Sequence, residues 1–254
     1  MSVLEAVGIT KSFGGVHALS GCSVKVERGQ IVGLVGPNGA GKTTLFNILC
    51  GLVSPTSGSV TIEDQSIVGL RPDQIAALGA VKTFQVARGF GSLTVIENLL
   101  VADRLQRDLS VWRAIMHVAG RFDGQKELAR KAVEILAFLR LSHLHDLPAA
   151  HLSTGQRKLL DIGRALMLSP KIILLDEPLA GVNPKLAEQI AERIEDLRKD
   201  GMSVALVEHR VEFIRNLCDH VYILSAGSIL MEGDPHYVFS QSEVISTFLG
   251  EEVA

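Results

Sequence analysis

Hydrophobic residues follow two kinds of pattern along the chain. Four short stretches are continuously apolar: Ile31 to Val35, Ile172 to Leu175, Val204 to Val207 and Val221 to Leu224. Strands covered on both faces need such runs. Between them, apolar residues recur with a period near 3.6 and predict helices. These residues are Leu128, Ala132, Ile135, Leu136 and Leu139, and later Ile190, Ile194 and Leu197. Strands that alternate with helices favour an α/β domain built on a largely parallel sheet.

The stretch from about residue 86 to residue 150 breaks this alternation. It contains helical patterns at Val95 to Leu105, Val111 to Val118 and Lys126 to Leu141, and no clear strand. We therefore predict a helical insertion over about residues 86–152, within a core formed by residues 1–85 and 153–254. Near the N-terminus, Val24 to Val26 and Val60 to Ile62 lie next to turn residues and predict a small antiparallel sheet.

Composition narrows the class of protein. The chain has 254 residues, of which 47% are hydrophobic, so it can bury a large core as a single domain. Its longest apolar runs fall far short of the roughly 20 residues that cross a bilayer, and its N-terminus lacks the features of a secretion signal. We therefore expect a cytoplasmic location. A net charge of -3 and a pI near 6.2 lack the basic footprint of nucleic-acid binding, so we expect no nucleic-acid partner.

The three cysteines, Cys22, Cys50 and Cys218, are an odd number without C-x-x-C spacing. We expect them to be small buried hydrophobic residues rather than disulfide partners or zinc ligands.

A glycine-rich segment carries the first candidate chemistry. The sequence G-P-N-G-A-G-K-T-T matches G-x-x-x-x-G-K-[ST] and lies between a predicted strand and an apolar helical run. Its glycines let backbone N–H groups point at an anion, and the following helix adds its positive end. We expect Lys42 to reach the β- and γ-phosphates and the Thr43 hydroxyl to bind Mg²⁺. The candidate phosphate-binding residues are Gly36, Pro37, Asn38, Gly39, Ala40, Gly41, Lys42, Thr43 and Thr44. Kinases, GTPases, partition ATPases and transport ATPases all fit this loop equally well.

Two adjacent acids follow the predicted strand that begins at Ile172. Ligands of doubly wound sheets bind at the carboxyl ends of the strands, where Asp176 and Glu177 lie. We expect Asp176 to hold Mg²⁺, usually through water. Glu177 should point the other way along the period of two and polarise a water that attacks the γ-phosphate. His209 ends another strand-like run in the same order, so it can contact the γ-phosphate or that water.

A second candidate anion site begins at Leu152. Ser153 and Gly155 precede an apolar helical run, and a serine hydroxyl, a glycine backbone and a helix N-terminus together can bind an anion. An ordinary N-cap by Ser153, followed by Gln156, explains the same residues. One domain has no use for two anion sites facing one phosphate, so this second site is better explained if it serves the ATP of another copy.

These motifs together resemble the ATP-binding subunits of ABC transporters over nearly the whole chain. The resemblance implies a P-loop NTPase (RecA-like) α/β core, mostly parallel, with a small N-terminal antiparallel β subdomain and an inserted helical subdomain. It implies that ATP, with Mg²⁺, lies between Lys42 and Thr43 of one subunit and Ser153, Gly155 and Gln156 of the other. Phe13 would stack on adenine. Gln85, in T-F-Q, would join Thr43 and Asp176 at the metal, report the γ-phosphate to the insertion, and act in catalysis with Lys42, Glu177 and His209.

Finer features are similar to the ATPases of branched-chain amino-acid importers, notably A-G-V-N-P at Ala180 and the ending F-L-G-E. That similarity implies membrane permease subunits, a second ATPase subunit (homodimer or paralogous heterodimer), an extracytoplasmic solute-binding protein and a peripheral place on the inner face of the membrane. Arg88, Phe90 and Leu93 are then candidates for the groove that receives the permease, although ordinary packing explains them equally well.

Other functions remain open on the sequence alone. Related ATPases that serve urea import or lipopolysaccharide export share the A-G-V-N-P-like stretch, and non-transport ABC ATPases and nucleotide-binding regulators form further classes. Two residues depart from the common pattern, because Thr154 replaces a glycine and Asn183 replaces an aspartate. Neither change removes a catalytic group, so we expect an active ATPase.

Overall fold

The computed structural model describes residues 1–83, 90–104 and 122–249. The chain divides into two compact units. We call the first the core unit; it comprises Met1–Gln85, Pro170–Ala180 and Ile194–Ala254. The second, the helical unit, comprises Val86–Ser169 and Gly181–Arg193. The domain boundaries expected from the sequence stay a prediction.

The described residues form ten strands and nine α-helices. The strands are β1 (Ser2–Phe13), β2 (Val16–Glu27), β3 (Ile31–Val35), β4 (Ser57–Ile62), β5 (Gln65–Ser66), β6 (Ala80–Lys82), β7 (Ile172–Asp176), β8 (Ser203–Val207), β9 (His220–Ser225) and β10 (Ser228–Gly233). The helices are α1 (Lys42–Leu49), α2 (Pro72–Leu78), α3 (Val95–Arg104), α4 (Phe122–Phe138), α5 (Thr154–Leu166), α6 (Pro184–Lys199), α7 (Val211–Leu217), α8 (Pro235–Val238) and α9 (Ser242–Leu249). None of these helices is long and apolar enough to span a bilayer.

The core unit contains a sheet in the order β10-β9-β3-β8-β7-β6. All neighbours pair in parallel except β10, which runs antiparallel to β9. Every residue of β3, β7 and β8 is buried, as the continuous apolar runs predicted. The α/β fold with a mostly parallel sheet is therefore confirmed.

The register of this sheet brings three strand ends to one edge. Leu34 of β3 and Asp176 of β7 both pair with Val207 of β8. The segments that follow these three strands, which carry the glycine-rich loop, Glu177 and His209, therefore leave the sheet at the same level. This is the carboxyl edge, where ligands of open α/β sheets bind.

The predicted antiparallel sheet is also present in the core unit, in the order β2-β1-β4-β5. Val24 pairs across from Ala6 of β1, which in turn pairs with Val60 of β4. The apolar side chains of this sheet join one buried cluster with those of α1, including Phe46 and Leu45.

The helical unit packs α3, α4 and α5 together, which confirms the helical patterns at Val95 and at Leu128. The pattern from Val111 to Val118 lies outside the described residues. Gly163 of α5 marks a close approach, because a Cβ there would lie 2.7 Å from Leu139 Cδ1 and 3.1 Å from Leu99 Cδ2. Asn98 is fully buried and its amide donates to the carbonyls of Phe90, Leu93 and Thr94, which fixes the segment that leads into α3.

The three cysteines are buried and free, which confirms their expected place in the core.

Candidate active site

The segment from Gly36 to Gly41 connects β3 to α1 and needs glycine at two positions. Gly36 has φ +154°, and a Cβ there would lie 2.0 Å from the carbonyl oxygen of Leu224 on β9. Gly41 has φ +103°, and its Cβ would lie 2.6 Å from the carbonyl oxygen of Ala18 on β2. Both positions combine a left-handed backbone with a close approach to another strand, so a side chain fits at neither.

Lys42 lies inside this loop. Its side chain is buried, and Nζ donates to the carbonyl oxygens of Gly36 at 2.6 Å and Pro37 at 2.7 Å. Because Gly41 caps α1 without a side-chain hydrogen bond and no acid occupies the first turn, the positive end of this helix faces the loop uncompensated by side chains. Thr43 is exposed in that first turn. The loop therefore combines an ammonium group, a helix N-terminus and a hydroxyl.

Asp176 ends β7 and is paired with a lysine on the neighbouring strand. Lys82 Nζ of β6 lies 2.9 Å from Asp176 Oδ2, and both side chains are almost completely buried. Lys82 Nζ also donates to Asn47 Oδ1 of α1 at 2.7 Å and lies 5.7 Å from the centre of the Phe46 ring. The carboxylate is thus charge-compensated within the fold.

Glu177 and His209 are brought together, although they are 32 residues apart. His209 Nε2 lies 3.2 Å from Glu177 Oε1. Glu177 has φ +47° and follows the end of β7, so a left-handed turn, and not the alternation of a strand, sets the direction of its side chain. The expectation that the period of two orients Glu177 is wrong for this reason. A non-glycine residue in this conformation is strained by about 1 kcal/mol, which is common at functional sites.

Glu208 is buried and binds both the segment that follows Glu177 and the backbone of His209. Its Oε1 accepts a hydrogen bond from the Leu179 backbone N–H at 2.7 Å, and its Oε2 accepts one from the His209 backbone N–H at 3.1 Å. Burial raises the pKa of the Glu208 carboxyl above its ordinary value. No role for Glu208 was predicted from the sequence, where the available signal was an acidic residue directly after a continuous apolar run.

Phe13, at the end of β1, is half-exposed, with 49% of its surface accessible. The Lys11 ammonium lies 4.8 Å from the centre of its ring and donates to the carbonyl oxygen of Ser54 at 2.8 Å. This contact holds a cation against the ring, and the ring keeps enough exposed surface to stack on a flat partner.

In the helical unit, Ser153 and Gln156 form a capping box at the start of α5. Ser153 Oγ accepts from the Gln156 backbone N–H at 3.3 Å, and Gln156 Oε1 accepts from the Ser153 backbone N–H at 2.9 Å. Gly155 packs so closely that a Cβ would lie 2.0 Å from Leu186 Cδ2 of α6. Helix capping by Ser153, the ordinary explanation of this motif, is therefore real, and an anion role for it stays a prediction.

Four sequence candidates remain: two are not described, and Phe90 and Leu93 lie in the described segment that leads into α3. Gln85 and Arg88 lie outside the described residues. Phe90 is exposed by 44%, and the Arg164 guanidinium lies 5.8 Å from the centre of its ring within the helical unit.

Comparison with known proteins assigns the family. The family model described as ABC transporter matches residues 19–180. The chain is 38% identical to a probable branched-chain amino acid transport ATP-binding protein LivG of Archaeoglobus fulgidus, over 99% of this chain and 97% of that protein. The chain belongs to the ABC transporter family. A second relative, the high-affinity branched-chain amino acid transport ATP-binding protein BraF of Pseudomonas aeruginosa, is 36% identical over 98% of both chains.

Solved structures of ABC transporter cassettes have the same fold. A cassette in its ADP conformation superimposes with a TM-score of 0.87 and is 37% identical, covering 98% of this chain and 99% of that one. A dimeric cassette in a post-hydrolysis state, bound to ADP and Pi, has a TM-score of 0.77 and is 26% identical, covering 91% of this chain and 98% of that one. The chain is accordingly an ATPase of the ABC transporter family with the P-loop NTPase fold that its motifs predicted.

Proposed function

We propose that this chain is the ATP-hydrolysing subunit of a multisubunit importer of branched-chain or similarly hydrophobic amino acids. The observation that carries the hydrolytic part is the Glu177–His209 contact of 3.2 Å at the sheet edge that also bears the Lys42 loop. The cargo rests on the names of the relatives, which are 36–38% identical over nearly the full length.

The loop suits a nucleoside triphosphate. Lys42 is held by two loop carbonyls, so its ammonium is already positioned for the β- and γ-phosphates. At Gly39, which has φ +77°, a Cβ would meet nothing within 4 Å, so this side of the loop is open. The backbone from Gly36 to Thr44 then cradles the phosphates, and Phe13 stacks on the adenine.

The donor set also suits Mg²⁺. The Thr43 hydroxyl and the Asp176 carboxylate are oxygen ligands of the kind that this hard cation prefers, and Gln85 adds a third. When bound, Mg²⁺ neutralises charge on the β- and γ-phosphates. Lys82 compensates Asp176 within the fold, so the carboxylate is held ready at the strand end.

Hydrolysis needs a water in line with the γ-phosphate. Glu177 accepts a hydrogen bond from that water and takes its proton as it attacks phosphorus, and the bond to the β-phosphate oxygen breaks. His209 Nε2 holds the Glu177 carboxylate through their contact, which places the imidazole beside the γ-phosphate and the attacking water. Lys42 stabilises the charge that develops on the leaving ADP.

Two subunits share each nucleotide in this proposal. Ser153, Gly155 and Gln156 of one subunit close over the ATP held by Lys42 and Thr43 of the other, as a homodimer or a paralogous heterodimer. Loss of the γ-phosphate removes these contacts and lets the subunits separate. The chain works at the inner face of the cell membrane, bound to permease subunits. A solute-binding protein delivers the amino acid to these permeases from the other side of the membrane.

The test is reconstitution of the chain with the permease subunits, partner ATPase chain and solute-binding protein of the proposed importer. Proteoliposomes with ATP inside should accumulate labelled leucine, isoleucine or valine, and those carrying Glu177→Gln should not. ATP hydrolysis without uptake of any of the three amino acids would contradict the cargo. Stable association of the chain with nucleic acid would instead favour a non-transport ATPase.

A further inference from the structure

Glu208 is a buried acid that the proposed hydrolysis does not use. Only 3% of its surface is accessible, and both of its carboxylate oxygens accept hydrogen bonds from backbone N–H groups. Burying a carboxylate is unfavourable unless its hydrogen bonds are satisfied, and a satisfied buried polar group fixes the geometry around it. What Glu208 fixes is therefore decided by the two groups it binds.

Those two groups belong to the two segments that carry Glu177 and His209. Leu179 lies two residues after Glu177, and the Glu177 carbonyl turns back to accept from the Ala180 backbone N–H at 3.2 Å. On the other side, Glu208 accepts from the backbone of His209 itself. The side chain of Glu208 thus spans from the segment after β7 to the segment after β8.

A second bridge joins the same segments through the backbone. The Glu177 N–H donates to the Val207 carbonyl oxygen at 3.0 Å, which extends the pairing of β7 and β8 by one residue beyond Asp176. Past this point the sheet ends, and the two bonds of Glu208 and the Glu177–His209 contact link the two segments. The bonds of Glu208 therefore join the turn at Glu177 to the segment that carries the exposed His209 beyond the last backbone bond of the sheet.

We propose that Glu208 is a positioning residue that sets the Glu177–His209 pair for attack on the γ-phosphate, an inference that rests on the proposed function. Glu208 does not touch ATP or the attacking water. It acts by holding the Leu179 and His209 backbones at one spacing, so that the carboxylate and the imidazole meet without reorganising during the reaction.

Glu208→Gln tests this role with little change of shape. The glutamine oxygen can accept from one backbone N–H, but its amide group is a donor and cannot accept from the other. We expect kcat for ATP hydrolysis to fall about tenfold and KM for ATP to stay within about twofold, because the pair and not the phosphate loop is disturbed. Glu208→Asp, which keeps the charge but shortens the reach, should give the same split if the glutamine variant does not fold.

Asp219→Asn is a matched control. Asp219 Oδ2 also accepts from a backbone N–H, that of Ile31, at 2.8 Å, and its Oδ1 binds Arg198 at 2.7 Å. This carboxylate therefore joins core segments at the opposite, amino-terminal end of β3. Its variant should lower the unfolding temperature while leaving kcat and KM within about twofold of the parent values.

The measurements are phosphate release and thermal unfolding on the full chain, together with its partner ATPase chain if the transporter is a heterodimer. A Glu208 variant with a lower unfolding temperature but the parental kcat overturns the positioning role. A variant whose KM rises by the same factor as its kcat falls also overturns it. An unsubstituted protein that hydrolyses no ATP overturns the proposed function instead.

Discussion

Lys82 Nζ and Asp176 Oδ2 lie 2.9 Å apart in a site from which water is almost excluded. The two residues are on neighbouring parallel strands, where Lys82 pairs with Leu174, two residues before Asp176. Asn47 accepts a further hydrogen bond from the ammonium. Asp176, which ends β7, therefore lies at the carboxyl edge of the sheet as one member of a buried ion pair.

Removing one partner of this pair should be strongly destabilising. Lys82→Met leaves the Asp176 charge buried without its counter-ion, so we expect the free energy of unfolding to fall by about 3 kcal/mol. Arg71→Met breaks an exposed pair with Asp73, in which the side chains are 72% and 59% accessible, and should change it by less than about 0.5 kcal/mol. Urea unfolding measures both. Equal effects of the two substitutions would contradict the buried role of Lys82.

Gly155→Ala should destabilise the helical unit. Alanine normally favours a helix by about 1 kcal/mol over glycine, but here its Cβ would lie 2.0 Å from Leu186 Cδ2 and 3.3 Å from Val182 Cγ1. We expect a net loss of about 1–3 kcal/mol, relieved by Leu186→Ala in the double variant. Gly91→Ala, whose Cβ would lie 3.4 Å from that of Ala150, is the control for a tolerated alanine. Thermal unfolding of these three variants decides the point; a double variant no more stable than Gly155→Ala would refute the proposed clash.

The stability of the chain should depend on pH through Asp161 of α5. Burial raises the pKa of this carboxyl to about 6 from 3.8, partly opposed by Arg164 and Lys158, and Oδ2 has no hydrogen-bond partner among the described residues. The folded state then binds its proton more tightly than the unfolded state, so stability is lost as the pH rises from about 4 to 6. Asp161→Asn removes this titration. Its free energy of unfolding should therefore rise by about 3 kcal/mol relative to that of the parent across this pH window.

Urea unfolding at several pH values measures this difference. Glu27 supplies a control of opposite sign, because Lys25 and the N-terminal ammonium lower the pKa of its carboxyl to about 2. Glu27→Gln should therefore lose stability relative to the parent as the pH rises from about 2 to 4.5. An Asp161→Asn advantage that is the same at pH 4 and pH 7 would show that Asp161 does not titrate in this range.

Nucleotide affinity should depend on the flat face of Phe13. Loss of base stacking in Phe13→Ala should weaken ATP binding about tenfold, while Phe13→Tyr should stay within about twofold. Val16→Ala is the control, because Val16 pairs with Phe13 across β1 and β2 and is 69% exposed. Titration with a fluorescent ATP analogue gives the three affinities. Parental affinity in Phe13→Ala would remove Phe13 from the nucleotide site.

The parts of the fold that the sequence predicted are those with strong local patterns. The buried strands β3, β7 and β8 are built on runs of apolar residues, so their type follows from the sequence, and their bounds follow to within one residue. Strand β1 was missed, because Gly8 with φ +61° lies within a register shift between Ala6 and Ile9 and disturbs the alternation. Strand β6, at Ala80–Lys82, has three residues and is too short to show a pattern.

The site divides in the same way. Motif spacing identified Lys42, Asp176, Glu177 and His209 as candidates, because chemistry at strand ends follows from topology. The partners Lys82 and Glu208 were missed. The pairing of β6 with β7 places Lys82, and the turn after Asp176 brings the Leu179 backbone to Glu208. Local sequence shows neither of these long-range arrangements. The predicted direction of the Glu177 side chain was wrong because the left-handed turn after β7 has no local sequence signal.

Phosphate release from ATP by Glu177→Gln tests the central claim most directly. The amide cannot take a proton from the attacking water, so turnover should fall at least about 100-fold while ATP still binds. Glu63→Gln is the control, since Glu63 has a similar left-handed backbone at φ +45° but contacts Lys171, before the amino-terminal end of β7; its turnover should equal that of the parent. Parental turnover in Glu177→Gln would contradict the assignment of Glu177 as the base.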